Sequence, residues 1–291
     1  MHLALRFWTT LILLVAANSL IAESSSSIHR LTADSKSLPT DRRSLTAFQR
    51  EWLPRWQEMV QLKAIDQNVN ARSVYLKTSA DHTTEKLFLS RAGQNVSVAA
   101  WIISPLKKDQ RCTVILADPN GPTAFLGTNS SPAGLARMFI DHNLEVMVVD
   151  LALRGQFDTP SSSATNDILP HVQNLLMAVQ HIKREQRGTK VILCGSGYAT
   201  LWSFITAPAA DGIIVDCEPF DAARLKAGIS LDTLTTIGIL SASNPFFVHN
   251  TKALSSNPFE PLNQLDVRNR PQFLSGQATA EQLAQWIRSL K

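Results

Sequence analysis

The chain has 291 residues, 44% of them hydrophobic and 18% charged, with a formal net charge of +4. This composition excludes global disorder and allows one large α/β domain with a sizeable core, or two small ones. The charge is too weak and too scattered to imply a nucleic-acid partner.

Met1 to Arg6 form a short basic start, and Phe7 to Ala22 an apolar stretch broken by Thr9, Thr10, Asn18 and Ser19. An apolar core shorter than the roughly 20 residues of a membrane span, followed by small residues and a Glu-Ser run, predicts a secretory signal peptide over residues 1–22. Cleavage could fall after Ser19 or Ala22, and an uncleaved anchor is the alternative. The mature chain is expected to be secreted or periplasmic, to leave the membrane after cleavage, and to carry 27 basic and 24 acidic residues, or +3.

Residues 23–43 are rich in Ser, Thr and charge and read as flexible. Phe48, Trp52, Trp56 and Val60, with Leu53 and Met59 beside them, predict an amphipathic helix over 44–62 that packs on the main domain. The domain organisation is therefore signal peptide 1–22, flexible segment plus N-terminal helix 23–70, and main domain 71–291. Within that domain 72–78, 85–91 and 96–103 alternate as β-strands between polar turns and predict an antiparallel opening to a sheet. Apolar strands at 112–117, 144–151, 191–195 and 212–217 then alternate with helices at 133–143, 166–187 and 198–206. That alternation predicts a parallel sheet covered on both faces. A short strand at 245–248 and a closing helix at 280–290 complete the reading. Asn95 and Asn129 match glycosylation sequons.

Three cysteines is an odd number. Cys112, Cys194 and Cys217 all fall in apolar strands and are expected to be buried thiols, with a Cys194–Cys217 bridge as the alternative in an oxidising compartment. No C-x-x-C or His/Cys cluster suggests a metal, and no cofactor is expected.

The most informative stretch is Val191-Ile192-Leu193-Cys194-Gly195-Ser196-Gly197-Tyr198-Ala199-Thr200, a strand breaking at small residues into a helix. A nucleophile elbow needs small residues two places on either side of the nucleophile. With Ser196 at the apex those flanks are Cys194 and Tyr198. With Gly197 there, they are Gly195 and Ala199. The second register satisfies the sterics and leaves no reactive atom at the apex.

Together with Val114-Ile115-Leu116-Ala117-Asp118-Pro119-Asn120-Gly121, Val148-Val149-Asp150-Leu151-Ala152-Leu153-Arg154-Gly155 and Asn244-Pro245-Phe246-Phe247-Val248-His249-Asn250-Thr251, this stretch resembles the α/β-hydrolase superfamily, in particular its acetyl xylan esterase and dienelactone hydrolase-like branch. The resemblance spans residue 72 to the C-terminus. It implies a mostly parallel central sheet, antiparallel N-terminal strands and helices on both faces. It also implies an oxyanion-hole amide after the 112–117 strand, an acid after the 245–248 strand and a histidine after the last strand. The chain departs from it at each catalytic position: Gly197 is the nucleophile's place, His249-Asn250-Thr251-Lys252 offers no carboxylate, and no histidine follows His249. Without an oxygen or sulfur at the apex no acyl-enzyme can form.

Two functions follow. One is a catalytically silent hydrolase-fold protein, binding a small ester or carbohydrate ligand through Asp118, Asn120, Gly121, Ser196 and His249, or acting as a scaffold for a protein partner. The other is an active carboxylic ester hydrolase in which Ser196 serves as a displaced nucleophile, with Asp216 or Glu218 as acid and His249 as base. Each residue also has a plain structural role open to it: Ser196 as a turn residue, Asp118 and Asn120 as turn chemistry in Asp-Pro-Asn-Gly, His249 as a hydrogen-bonded pocket edge, and Asp150 as an ion-pair partner of Arg154.

Overall fold

The computed structural model describes residues 31–33, 38–62, 65, 69–91, 97–107, 112–151, 168–254, 258–265 and 270–290. The signal segment, Asn95 and Arg154, and with them the expected Asp150–Arg154 pair, lie outside these residues.

Helix α1 (Arg42–Met59) starts where Asp41 and Ser44 cap each other: the Asp41 carboxylate accepts from Ser44 N at 2.8 Å, and the Ser44 hydroxyl oxygen accepts from Asp41 N at 3.1 Å. Its aromatic stripe faces inward as the spacing predicts, with Leu45, Phe48, Trp52, Trp56 and Met59 buried. The Trp56 indole N–H reaches Ile205 O at 3.0 Å, which ties the helix to the body of the molecule. Pro54 lies within α1 on its exposed side, and the helix continues through it.

Among the described residues nine strands form one sheet in the order β1-β2-β3-β5-β4-β6-β7-β8-β9. They are β1 (Val69–Thr78), β2 (His82–Arg91), β3 (Ser97–Pro105), β4 (Cys112–Ala117), β5 (Glu145–Val149), β6 (Lys190–Gly195), β7 (Gly212–Asp216), β8 (Phe246–His249) and β9 (Gln272–Phe273). The first three are an antiparallel meander joined antiparallel to β5, and every pairing from β5 onward is parallel. Strands β4 to β8 are apolar at nearly every position because helices cover both of their faces. On one face α1 packs with α3 (Leu169–Glu185), α4 (Ala199–Thr206) and α6 (Leu231–Leu240). On the other face α2 (Gly134–Asp141) and α8 (Ala280–Ser289) pack against alternate residues of the same strands. Helices α5 (Phe220–Lys226) and α7 (Glu260–Gln264) lie in the connections after β7 and before β9. Helix α1 therefore shares its core with the sheet, and β1 begins two residues ahead of the domain boundary drawn at residue 71.

All three cysteines are free and buried. A Cys194–Cys217 bridge is not formed, because the two side chains sit in opposite layers: Cys194 packs with Leu116 and Phe247, Cys217 with the residues around α4 and α6. Among the described residues no helix is long and apolar enough to cross a membrane.

Candidate active site

Strand β6 ends on Gly195 because nothing larger fits there: a Cβ at this position would lie 2.3 Å from Ala199 O and 2.5 Å from Thr200 N. The chain then turns through Ser196 and Gly197 into α4, with Ala199 N bonded to Ser196 O at 3.0 Å and Thr200 N to Gly197 O at 3.3 Å. Gly197 has φ +53°, the left-handed backbone that suits glycine and strains other residues. It occupies the apex of a strand-turn-helix elbow, with Gly195 and Ala199 as its small flanks.

The space a nucleophile would use is filled from β4. The Pro119 ring lies over the apex, so that a Cβ on Gly197 would meet Pro119 Cγ at 3.2 Å and Cδ at 3.4 Å. Proline has no backbone N–H, and the next two amides of that turn are engaged. Asn120 N donates to Asp118 Oδ1 at 2.7 Å, and Gly121 N to Asp118 O at 3.0 Å. The turn that the resemblance casts as an oxyanion-hole donor is thus bonded to itself.

Ser196 is held by the same aspartate. Its hydroxyl donates to Asp118 Oδ2, its backbone N–H bonds Ala117 O at 2.9 Å, and Asp118 is only 8% exposed. Strand register places His249 elsewhere. Ala117 pairs with Gly195, Cys194 with Ile214, and Asp216 with His249, so Asp118, Ser196, Asp216 and His249 fall on one level of four neighbouring strands. Residues two positions earlier, Leu116, Cys194, Ile214 and Phe247, all pack beneath α2 and α8, and alternation puts Asp216 and His249 on that same face, while Asp118 and Ser196 follow directly after the ends of β4 and β6. At a strand spacing of about 4.8 Å, Ser196 and His249 stand two strands and roughly 10 Å apart along the backbone. No hydrogen bond joins them.

His249 is buried, with Nδ1 3.8 Å from Asp216 Oδ1, too far for a hydrogen bond, and that nitrogen has no partner. The Asp216 oxygen is already taken: Asn250 Nδ2 donates to it at 2.8 Å and Glu218 N at 3.0 Å. Asn250 can do so because it adopts φ 57°, ψ 32° just after β8. Burial lowers the His249 pKa, opposed by the nearby Asp216 charge, so its imidazole is neutral at neutral pH. Glu218, the other proposed acid, is exposed. Asn120 and Tyr198 project to solvent at the mouth, where Lys226 lies 5.0 Å above the Tyr198 ring, while Gly121 is buried. No cluster of potential metal ligands occurs among the described residues.

The sequence pointed to Asp118, Ser196, Gly197, Asp216 and His249, and the structure brings all five to the carboxyl ends of adjacent strands. The roles of Pro119 as the apex cover and Asn250 as the partner of Asp216 were not anticipated.

The sheet order, the crossover connections and the elbow after β6 define an α/β-hydrolase fold. No protein-family model matches the chain, and no curated protein matches it by sequence. Solved structures share the fold at low identity. A Bacteroides fragilis protein described as an acetyl xylan esterase aligns with TM-score 0.59, 9% identity and 94% of each chain covered. A methylesterase, BT1017, aligns with TM-score 0.55 and 11% identity over 91% of this chain and 67% of its own. A glucuronoyl esterase from Solibacter usitatus aligns with TM-score 0.53 and 10% identity over 85% and 93%.

Proposed function

We propose that this is an exported, catalytically silent member of the α/β-hydrolase fold, which uses the surface at the carboxyl ends of its strands to bind a small ester, a carbohydrate or a protein partner rather than to turn over an ester. The observation that carries this reading is the apex: Gly197 supplies no attacking atom, and the Pro119 ring occupies the direction in which a side chain would project. The engagement of Ser196 by Asp118, and of the Asn120 and Gly121 amides within their own turn, supports it. Binding would use the groups that reach the mouth, Asn120, Ser196 and Tyr198, with Asp118, Gly121 and His249 shaping the floor.

The test is hydrolysis of p-nitrophenyl acetate and labelling by a serine-directed fluorophosphonate, using mature protein starting near Glu23. The expected results are a rate equal to that of a heat-treated control and no label. Stoichiometric labelling of Ser196 would overturn the proposal in favour of a displaced Ser196–His249 esterase.

A further inference from the structure

A concavity lies at the β9 margin of the sheet, three strands from the strand that carries the elbow. It is a groove of about 400 Å³ between β9 and α8, inside the roughly 300–1,000 Å³ range of small-molecule sites. Its apolar lining comes from Phe247, Phe273, Leu274 and Trp286; Phe247 and Trp286 are buried and packed edge to face at 5.6 Å, and the half-buried Phe273 and Leu274 present the more accessible surface. Its polar lining is Gln272, Gln282, Gln285 and Ser289, and none of the residues lining it is Asp, Glu, His, Lys or Arg.

The amides retain unused capacity. The Gln272 side chain is exposed and bonds no other described group. Gln282 commits only its oxygen, to Thr279 N at 2.9 Å, leaving Nε2 free. Gln285 commits only its nitrogen, to Glu281 Oε1 at 2.7 Å, leaving its oxygen free. The groove therefore offers neutral donors and acceptors together above aromatic carbon. A charged ligand would find no counter-ion there, and a purely apolar one would strand three amides. A sugar ring suits both halves, since its hydroxyls donate and accept while a C–H face lies on the half-buried Phe273 ring.

We propose that this groove is a binding site for a neutral sugar unit of an oligosaccharide. Phe247 is two residues before His249 on the same face of β8, with their ring centroids 6.3 Å apart, so the groove adjoins the carboxyl ends of the strands. The proposal does not depend on whether the elbow is silent, because none of the groove residues belongs to it.

Calorimetric titration of the full mature chain with xylohexaose, cellohexaose and mannohexaose, and with hexagalacturonate as a charged comparison, tests the site. At least one neutral hexasaccharide should bind, and Gln272→Ala combined with Gln285→Ala should weaken it about tenfold, the loss expected from two hydrogen bonds. Both side chains are exposed, so the unfolding temperature should not move and a folding defect is separable from lost binding. No binding of any neutral hexasaccharide at about 10 mM, where even millimolar affinity registers, would overturn the proposal. So would preference for the uronate, or affinity unchanged in the double variant. Sedimentation showing a dimer that the double variant dissociates would assign the groove to a second copy of the chain and overturn it as well. Ester hydrolysis is measured separately, so failure of either reading leaves the other standing.

Discussion

The Ser196 hydroxyl donates to the Asp118 carboxylate, and the residue nearest to a nucleophile in this elbow is thereby bound to the turn that would otherwise face it. Asp118 also accepts from Asn120 N, so one buried carboxylate closes both β4 and β6 at their carboxyl ends.

Asp118→Ala should destabilise the protein by about 2–3 kcal/mol and Ser196→Ala by about 1 kcal/mol, since a hydrogen bond to a charged group is worth more than a neutral one and the buried partners are left unmet. Urea unfolding of both single variants and the double variant measures this. A coupling energy indistinguishable from zero would mean that the two side chains act independently.

Gly197→Ser should not produce an esterase. The substitution places a non-glycine residue at φ +53°, costing about 1–2 kcal/mol, and drives its Cβ against Pro119 Cγ at 3.2 Å. The new hydroxyl would also lack a base, since His249 stands on β8, two strands from the elbow, with Nδ1 unbonded and 3.8 Å from Asp216 Oδ1. Single-turnover acylation of Gly197→Ser across neutral pH, with Gly197→Ala as the steric control, should stay at background. A rate that rises through a histidine-like pKa and disappears in His249→Gln would refute this map of the site.

Stability should fall as pH drops below neutrality. His171 is stacked on Trp202 at 3.9 Å, and burial pulls its pKa from 6.5 to about 4, against a hydrogen bond to the Leu151 backbone that raises it. Between those values the unfolded chain binds a proton that the folded chain refuses. Stability is therefore complete above about pH 6.5 and is lost progressively as pH falls toward 4, by about 3 kcal/mol from this residue. His181 and His249 are shifted in the same direction, chiefly by burial, and steepen the slope. Urea midpoints between pH 7.5 and 5 should show the decline, and His171→Phe should flatten it. An unchanged slope in that variant would remove His171 from the account.

The thiols should be inert in the native state. Burial pushes the Cys194 and Cys217 pKa values up to about 12, with the Asp216 charge adding to it, and Cys112 is only 4% exposed. Ellman's reagent should find no reactive thiol until the protein is denatured, and three afterwards. Reductant should leave the unfolding temperature unchanged.

Much of the fold was legible because β4 to β8 are short Val/Ile/Leu runs separated by helices, a pattern that only a sheet covered on both faces buries. The register of the elbow was legible from steric demand alone, since Gly195 and Ala199 flank Gly197. Helices α5 and α6 were missed: α5 has seven residues, and α6 is apolar around most of its circumference and so lacks an amphipathic signature. Pro119 over Gly197 and Asp118 on Ser196 join residues 78 positions apart, and no local pattern encodes such contacts. The free Cys194 and Cys217 became clear only once strand alternation had assigned them to opposite layers.

The two margins of the sheet are unequal, and this has a consequence for how the protein behaves at high concentration. Strand β9 offers two residues at one margin, whereas β1 offers ten at the other, almost all exposed, with Leu76 68% and Val74 48% accessible. A free ribbon of that length invites a neighbouring molecule to extend it, yet its pairing with β2 slips between Ser73 and Tyr75. The bulge breaks the ribbon into two short runs, each too brief to template a lasting partner, and Lys77 adds a charge to the second. Removing Val74 would restore one unbroken register and make fibrous self-association the dominant hazard in solution.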